Sequence, residues 1–260
     1  MKKLYVLFLL MSIVPFVSKA QEEDNDKMET DRPSFSFSPN TVVKNRLQVE
    51  FGFQKQHDKL NGQHQDTYLY PTALLKYGLT KKLELRVLIE NEGDYEYTPG
   101  KHKVASGIEP VQVGFKYNLF QEKGALPNTS VIARAAFPKL ASPDYRSDYV
   151  APAFRLAMQN TLSKKIQLQY NAGVEWEPED VHANYLLTLV PQLKLSDKIE
   201  LFAEIYSQFS SEESPIHRWD AGFLYKVEPN LQFDISGGFG ITKSAPDNFI
   251  EAGFSFRLPH

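Results

Sequence analysis

Charged side chains recur at every second position of several segments that are otherwise apolar. Between residues 83 and 90, Glu84, Arg86 and Glu90 share one parity, and the opposite parity is wholly aliphatic. Alternate residues of an extended strand lie on opposite faces, so these charges would share one face. Charges aligned in this way can pair with one another or bind a polar solute, whereas the aliphatic face requires an apolar environment.

The same parity rule, applied along the chain, gives a set of charges that are expected to line the inside of a barrel. The acids are Glu50, Glu84, Glu90, Glu200, Glu204, Asp220, Asp234 and Glu251, and the bases are Arg86, Lys116, Arg134, Arg155, Lys226 and Arg257. The two signs are nearly balanced, whereas a strongly ion-selective pore carries mostly one sign. Two interpretations stay open: a salt-bridge network across a narrow lumen, and the separately solvated lining of a wet pore.

Residues that usually perform catalysis are not arranged for it in the sequence. The six histidines are His57, His64, His102, His182, His217 and His260. All of them fall in expected loops, at strand ends or at the C-terminus, and none is matched with a serine and an acidic or amide partner, as nucleophilic catalysis requires. The chain has no cysteine, which excludes disulfides and thiol chemistry. We therefore expect no catalytic site, no metal site, no cofactor and no enzymatic activity.

Twelve segments of alternating hydrophobicity lie between residues 46 and 258, and the gaps that join them alternate in length. Short gaps follow every second segment, at 78–82, 120–129, 161–165, 194–198 and 228–230. The intervening gaps are mostly longer, at 54–66, 91–110, 138–148, 175–182, 210–218 and 240–248. Short periplasmic turns, longer external loops and an even strand number are typical of outer-membrane barrels. The pattern predicts an all-β fold, a transmembrane antiparallel up-and-down β-barrel of about 12 strands over residues 46–258.

A secreted β-sandwich also alternates apolar and polar residues, but alternating gap lengths favour the barrel over a Greek-key sandwich. Aromatic residues at both strand ends resemble the interfacial girdles of membrane barrels. They are Tyr77, Tyr117, Tyr225 and Phe256 at one end, and Phe53, Phe137, Phe209, Trp219 and Phe249 at the other. Pro71 and Pro152 each remove one ladder donor, which predicts a bulge or local break in the second and sixth strands.

The N-terminus has the composition of an export signal. Two lysines precede a short apolar run, and small residues surround Ala20, which predicts a cleaved signal peptide over residues 1–20. Removing Lys2, Lys3 and Lys19 from the 29 basic residues leaves 26 against 32 acidic ones. This acidic balance argues against nucleic acid as a partner. An exported chain with barrel strands is expected in the outer membrane of a Gram-negative bacterium, with membrane lipid and the barrel-assembly machinery as partners.

Residues 21–45 lack a strand period and contain Pro33 and Pro39, so this stretch is expected to stay on the periplasmic side without spanning the membrane. Asp31 and Arg32 beside Phe35 and Phe37 are unusual for a free linker. One hypothesis is that this part folds back against the periplasmic mouth or into the lumen as a plug, where Asp31 and Arg32 pair with inward charges of opposite sign. The alternative is a plain leader into the first strand.

Several fragments in order resemble a known family over nearly the whole mature chain. They include Thr30-Asp31-Arg32-Pro33, the run from Leu47 to Gly52, the turn from Tyr77 to Thr80 and the ending from Gly253 to Arg257. The chain resembles the outer-membrane β-barrel channels named for the meta-pathway of phenol degradation. The resemblance implies a transporter-like or channel role for hydrophobic or aromatic compounds.

The sequence therefore predicts an outer-membrane channel for the passive passage of small molecules. The alternative is a structural or adhesive barrel with a blocked lumen, whose external loops bind partners.

Overall fold

The computed structural model describes residues 28–60, 63–98, 101–177 and 182–258. The expected signal peptide, residues 1–20, lies outside this part of the chain. The described strands are β1 (Leu47–Leu60), β2 (Gln63–Gly78), β3 (Leu83–Thr98), β4 (Lys101–Ile108), β5 (Val111–Phe120), β6 (Asn128–Phe137), β7 (Ala151–Thr161), β8 (Ile166–Trp176), β9 (Ala183–Lys194), β10 (Ile199–Phe209), β11 (Ile216–Glu228), β12 (Leu231–Gly240) and β13 (Asn248–Leu258). Two single-turn 3₁₀ helices, Pro138–Leu140 and Pro143–Tyr145, lie between β6 and β7. Among the residues described, no helix is long and apolar enough to cross a membrane.

Twelve of these strands form a closed antiparallel ring. Each strand pairs with its neighbours in the chain, β1 pairs with β13, and β2 pairs with β3, so the sheet has no free edge around the ring. Strand β4 lies outside the ring because it pairs only with residues 91–98 of β3. Residues 83–88 of β3 pair with β5 instead and continue the ring. The predicted up-and-down barrel of 12 strands is confirmed. We call its two ends the short-turn end, where β1 begins and β13 ends, and the long-loop end.

Burial is inverted relative to a water-soluble protein. Glu84 and Lys116 are 0% exposed, whereas their sequence neighbours Leu85 and Phe115 are 44% and 41% exposed. Because the ring is closed, each of its strands has a paired neighbour on both sides, so the outer face can be apolar and contact lipid.

Two predicted loops are instead paired strand. The sequence predicts external loops at residues 54–66 and 91–110, but β1 to β4 occupy most of both ranges. β1 stays paired with β13 as far as His57, and beyond that point the strands of this ribbon pair only with one another. Polar cross-strand partners such as His57 and Asp66 continue the ladder there. The sequence signal failed because a ribbon outside the membrane has no lipid-facing side, so its residues need not alternate in hydrophobicity.

The two strand prolines behave differently. The register of β2 shifts between Leu69 and Thr72, so the irregularity expected at Pro71 is confirmed. The break expected at Pro152 is wrong, because Pro152 pairs regularly with Ala135 of β6. Pro152 is the second residue of β7, and pairing with β8 begins only at Ala153, so its missing N–H interrupts no ladder.

One member of the predicted aromatic girdles is wrong. Phe249 shares the parity of Glu251 and turns into the lumen, where the guanidinium carbon of Arg218 lies 5.3 Å from the ring centre. Its position at the end of β13 resembled a girdle residue, but parity decides the face.

Candidate functional site

The lumen is occupied by residues 28–42, which we call the N-terminal segment. Its prolines and irregular spacing prevent it from adding a strand to the sheet. Side chains of the barrel wall accept its backbone N–H groups instead. Asp31 and Arg32 donate to Glu50 Oε2 at 3.0 and 3.2 Å, Phe35 to Glu204 Oε2 at 2.7 Å, Phe37 to Asn171 Oδ1 at 2.7 Å, and Val42 to Glu84 Oε2 at 2.8 Å.

Asp31 lies at the centre of a buried cation cluster. Its Oδ2 is 2.6 Å from Arg86 Nη2 and 3.5 Å from Lys76 Nζ, and its Oδ1 is 3.3 Å from Lys116 Nζ. The Asp31 side chain is 2% exposed, and Ser38 N–H also donates to Oδ1 at 2.9 Å. A buried carboxylate with three cations and a backbone donor is a strong electrostatic anchor for the N-terminal segment.

Arg32 anchors the other side of the segment. Its Nη2 lies 3.0 Å from Asp234 Oδ1, and its Nη1 lies 3.5 Å from Glu251 Oε2. The guanidinium rests against the backbone of two strands at Gly52 and Gly253. A Cβ at Gly52 would lie 2.1 Å from Nη1, and one at Gly253 would lie 2.5 Å from Nε. Only glycine leaves room for this close approach.

Two phenylalanines of the segment pack against cations and an aromatic ring. The guanidinium carbons of Arg155, Arg86 and Arg134 lie 4.3, 5.0 and 5.6 Å from the centre of the Phe37 ring. Phe35 stacks on Tyr206 with ring centres 4.6 Å apart. Arginines over an aromatic face are attracted by its quadrupole, so Phe37 belongs to the charged part of the lumen.

The predicted inward charges all lie on lumenal positions of the strands, and most are joined by contacts. Away from the N-terminal segment, Arg134 Nη2 is 2.8 Å from Glu175 Oε2, and Lys226 Nζ is 3.3 Å from Glu200 Oε2. Asp220 is the register partner of Glu204, and Arg257 is 7% exposed. Glu90 lies 3.5 Å from Gln112 Nε2. The side chains form a network that runs from the wall through the N-terminal segment and back to the wall.

Several lumenal residues are absent from the predicted set. Lys76, Glu175 and Arg218 face inward, and Lys76 also pairs with Glu50. Lys76 precedes the girdle residue Tyr77, so its lumenal face follows from the same alternation; the other two fell in gaps that proved to be strand. Glu175 and Arg218 each lie two residues from a lumenal position, Gly173 and Asp220, so extending the alternation by one more step would have identified both as lumenal. An apolar cluster of Val190, Phe202 and Leu224 also faces inward near the short-turn end, where the sequence predicted a polar lining.

A cavity of about 310 Å³ lies beside the N-terminal segment, towards the long-loop end. Three leucines, Leu69, Leu74 and Leu88, form an apolar part of its lining. Polar lining comes from Glu90, Gln112, Arg134 and Arg155, and the segment contributes Ser34, Phe35 and Phe37. The cavity can thus contact an apolar surface and a polar group of the same small molecule.

The expected positions of the histidines are partly wrong. His57, His64, His102 and His217 lie within β1, β2, β4 and β11, because strands occupy much of the expected loops. His217 Nδ1 is 2.8 Å from Ser207 Oγ on the neighbouring strand. Within the described residues, no carboxylate or amide is hydrogen-bonded to this imidazole, so a Ser–His–acid arrangement is not formed there.

Comparisons with known proteins place this geometry among membrane barrels. No curated protein matches the chain significantly. An outer membrane channel from Pseudomonas putida F1 is similar in structure, with a TM-score of 0.66 and 9% identity, over 92% of this chain and 100% of the channel. The β-domain of the Bordetella autotransporter BrkA has a TM-score of 0.56 and 12% identity, over 82% and 99% of the two chains. The NanC porin has a TM-score of 0.52 and 10% identity, over 82% and 100%.

At these identities the similarity establishes the fold of outer-membrane barrels. The family described as "Putative MetA-pathway of phenol degradation" matches residues 30–258. The match includes the N-terminal segment from Thr30 and every strand of the ring. The chain therefore belongs to this family of outer-membrane-type β-barrels.

Proposed function

We propose that the protein is an outer-membrane channel for the passive passage of small molecules, and that its N-terminal segment is a removable plug. The barrel fold, the family membership and the inverted burial support this proposal. In this view residues 1–20 are cleaved on export, the barrel-assembly machinery inserts the chain, and the short-turn end faces the periplasm. This orientation follows the general layout of outer-membrane barrels.

The observation that carries the proposal is the way in which the N-terminal segment is held. Its contacts with the wall are ion pairs, hydrogen bonds and ring contacts, centred on Asp31 and Arg32. Within the described residues, the bridge between Lys44 and Gly78 is the ladder pair nearest to the segment, and it lies after the segment ends. The segment can therefore leave the lumen without breaking a strand of the ring.

The lining of the cavity favours small solutes that combine an apolar body with a polar group. Leu74 and Leu88 can contact the body, while Glu90 and Arg134 can contact the polar group. At about 310 Å³, the cavity lies at the low end of ligand-pocket volumes, which are roughly 300–1,000 Å³. Small aromatic compounds fit both the lining and the size.

Conductance in planar lipid bilayers tests the plug directly. Deleting residues 21–39 from the mature chain removes the anchors of the segment, so conductance should rise well above the wild-type level. The matched control deletes only residues 21–27, which retains every anchor described here and should leave conductance at the wild-type level. Unchanged conductance in a normally assembled 21–39 deletion would contradict the plug and leave a plain leader.

A structural or adhesive barrel is the second candidate, and one observation favours it. Val190, Phe202 and Leu224 form a buried apolar cluster on lumenal positions of β9, β10 and β11, so it belongs to the wall and stays in the lumen when the N-terminal segment leaves. Liposome-swelling assays with small sugars and aromatic acids separate the two functions. A barrel that admits no solute even after the deletion would be a blocked barrel and would overturn the channel proposal.

A further inference from the structure

Three turns at the short-turn end repeat one sequence pattern. Each begins with leucine and a hydroxyl residue, continues through lysine, and enters the next strand at leucine or isoleucine. The turns are Leu79-Thr80-Lys81-Lys82-Leu83, Leu162-Ser163-Lys164-Lys165-Ile166 and Leu195-Ser196-Asp197-Lys198-Ile199. They connect β2 to β3, β7 to β8 and β9 to β10.

The three turns have the same hydrogen bonds. In the first, the N–H groups of Leu79 and Thr80 donate to Leu83 O at 2.9 and 3.1 Å, and Thr80 Oγ1 accepts the N–H groups of Lys82 and Leu83 at 3.1 and 3.0 Å. The other two turns repeat all four bonds at 3.0–3.2 Å. The hydroxyl residue and the backbone therefore hold the turn, and the leucine and lysine side chains are not needed for that purpose.

The side chains that the turn does not use are displayed outward. Leu79, Leu162 and Leu195 are 43%, 61% and 50% exposed. The lysines beside them are also exposed. An exposed leucine that continues the apolar outer face, next to a lysine at the rim, matches the boundary between acyl chains and headgroups.

Positive charge is concentrated at this end of the barrel although the whole chain is acidic. The lysines of the rim are Lys44, Lys81, Lys82, Lys123, Lys164, Lys165, Lys194 and Lys198. The acids of the same short turns are Glu122, Asp197 and Glu228, and Asp197 is paired with Lys194 at 2.6 Å. A basic rim attracts an anionic surface.

We propose that this lysine-bearing rim, built on the repeated turns, binds the headgroups of anionic phospholipids, with phosphatidylglycerol as the representative ligand. The proposal rests on the placement of the short-turn end at the periplasmic leaflet in the proposed function. The anionic cell-wall polymer is a different partner, and the leucines argue against it. A rim that reached only into the periplasm would gain nothing from apolar side chains beside each lysine.

The test compares two triple variants with the same loss of charge. The rim variant combines Lys81→Gln, Lys164→Gln and Lys198→Gln, which removes one lysine from each repeated turn. The control variant combines Lys59→Gln, Lys139→Gln and Lys243→Gln, which removes three exposed lysines outside the short-turn end. Native mass spectrometry of the refolded full barrel, in detergent with equal phosphatidylglycerol and phosphatidylcholine, counts each bound lipid. The wild type should prefer phosphatidylglycerol. Loss of one lysine should lower the affinity of a turn for that lipid about fivefold.

The proposal predicts that the rim variant prefers phosphatidylglycerol over phosphatidylcholine less strongly than the wild type does. The control variant should keep the wild-type lipid preference, and so should a variant in which the same three rim lysines are replaced by arginine. The heat-dependent gel shift of each variant establishes that the barrel has folded. Equal lipid preference in the wild type and the rim variant would overturn the proposal. So would loss of co-sedimentation with purified peptidoglycan in the rim variant without any change in lipid preference. Conductance of the plug deletion is measured separately, so failure of the channel proposal is distinguishable from failure of this one.

Discussion

Substituting Asp31→Asn should release the N-terminal segment from the lumen. The amide keeps the size of the side chain and can still accept the N–H of Ser38, but it removes the negative charge. Arg86, Lys116 and Lys76 then lose the carboxylate that lies 2.6, 3.3 and 3.5 Å from their nitrogens.

The magnitude follows from the burial of this cluster. Removing one member of a buried ion network costs about 3–5 kcal/mol, because the remaining charges are left unbalanced. Glu50 and Glu84 still neutralise part of the cationic charge, and lumenal water can screen the rest. We therefore expect about 2 kcal/mol against the seated segment, which increases the ratio of displaced to seated segment about 30-fold.

Displacement can be measured with a single thiol because the chain has no cysteine. Ser36 is 0% exposed at the centre of the segment, so Ser36→Cys should react slowly with maleimide while the segment is seated. Adding Asp31→Asn should accelerate labelling and raise single-channel conductance. Both measurements compare variants that share Ser36→Cys, so the effect of the thiol cancels.

The matched control is Asp197→Asn, the same chemical change at a side chain that is 92% exposed. It should alter neither labelling nor conductance. Combining Asp31→Asn with Lys116→Met should recover part of the seating, because one unbalanced cation is also removed. Identical labelling rates with aspartate and asparagine at position 31 would refute the electrostatic anchoring of the segment.

Three further predictions concern the anchor, the facing of strands and the membrane location. Gly52→Ala should raise conductance, because the new Cβ would lie 2.1 Å from Arg32 Nη1 and displace the guanidinium. Gly237→Ala, whose Cβ would lie 3.1 Å from its nearest atom, should leave conductance unchanged. Equal conductance of the two variants would contradict the role of Gly52 in making room for Arg32. Phe115→Arg should prevent assembly, because a charge on the lipid face at the bilayer midplane costs about 2–4 kcal/mol, while Gln169→Arg on the lumenal face should assemble. Equal assembly of the two would mean that the faces are wrongly assigned. The mature protein should fractionate with outer membranes and migrate differently on gels before and after boiling, because the closed ladder resists detergent; recovery as a soluble periplasmic protein would contradict this.

The alternation of side chains predicted the barrel because its period survives even where individual strands are irregular. A strand in contact with lipid on one side and polar groups on the other must alternate. The charged Glu84 and Arg86 therefore indicate the lumenal face of β3, and the apolar Leu85 and Val87 indicate its lipid face. The number of strands in the ring followed from the same signal, whereas the additional strand β4 did not. Strand length did not follow from that signal, since the ribbon of β1 to β4 past His57 lies outside the ring, where no alternation is required.

The candidate site divides in the same way. Parity identifies Glu50, Glu204 and Asp234 as lumenal. The composition around Asp31 and Arg32 predicts a segment that forms ion pairs with lumenal charges of opposite sign. The partner of each charge is not encoded locally. Asp234 lies about 200 residues along the chain from Arg32 and becomes its partner only when β12 and β13 close the ring against β1.

The sequence by itself determined the facing of most residues in the ring, because the period of a strand is a local property; the exceptions, such as Phe249 and Glu175, lie near strand ends. Only the tertiary structure decided that the lumen is filled by residues 28–42, that Gly52 and Gly253 make room for one guanidinium, and that Asp31 faces three cations. These features depend on the distances across a closed ring. They are set by strand number and register together, and no stretch of sequence contains them.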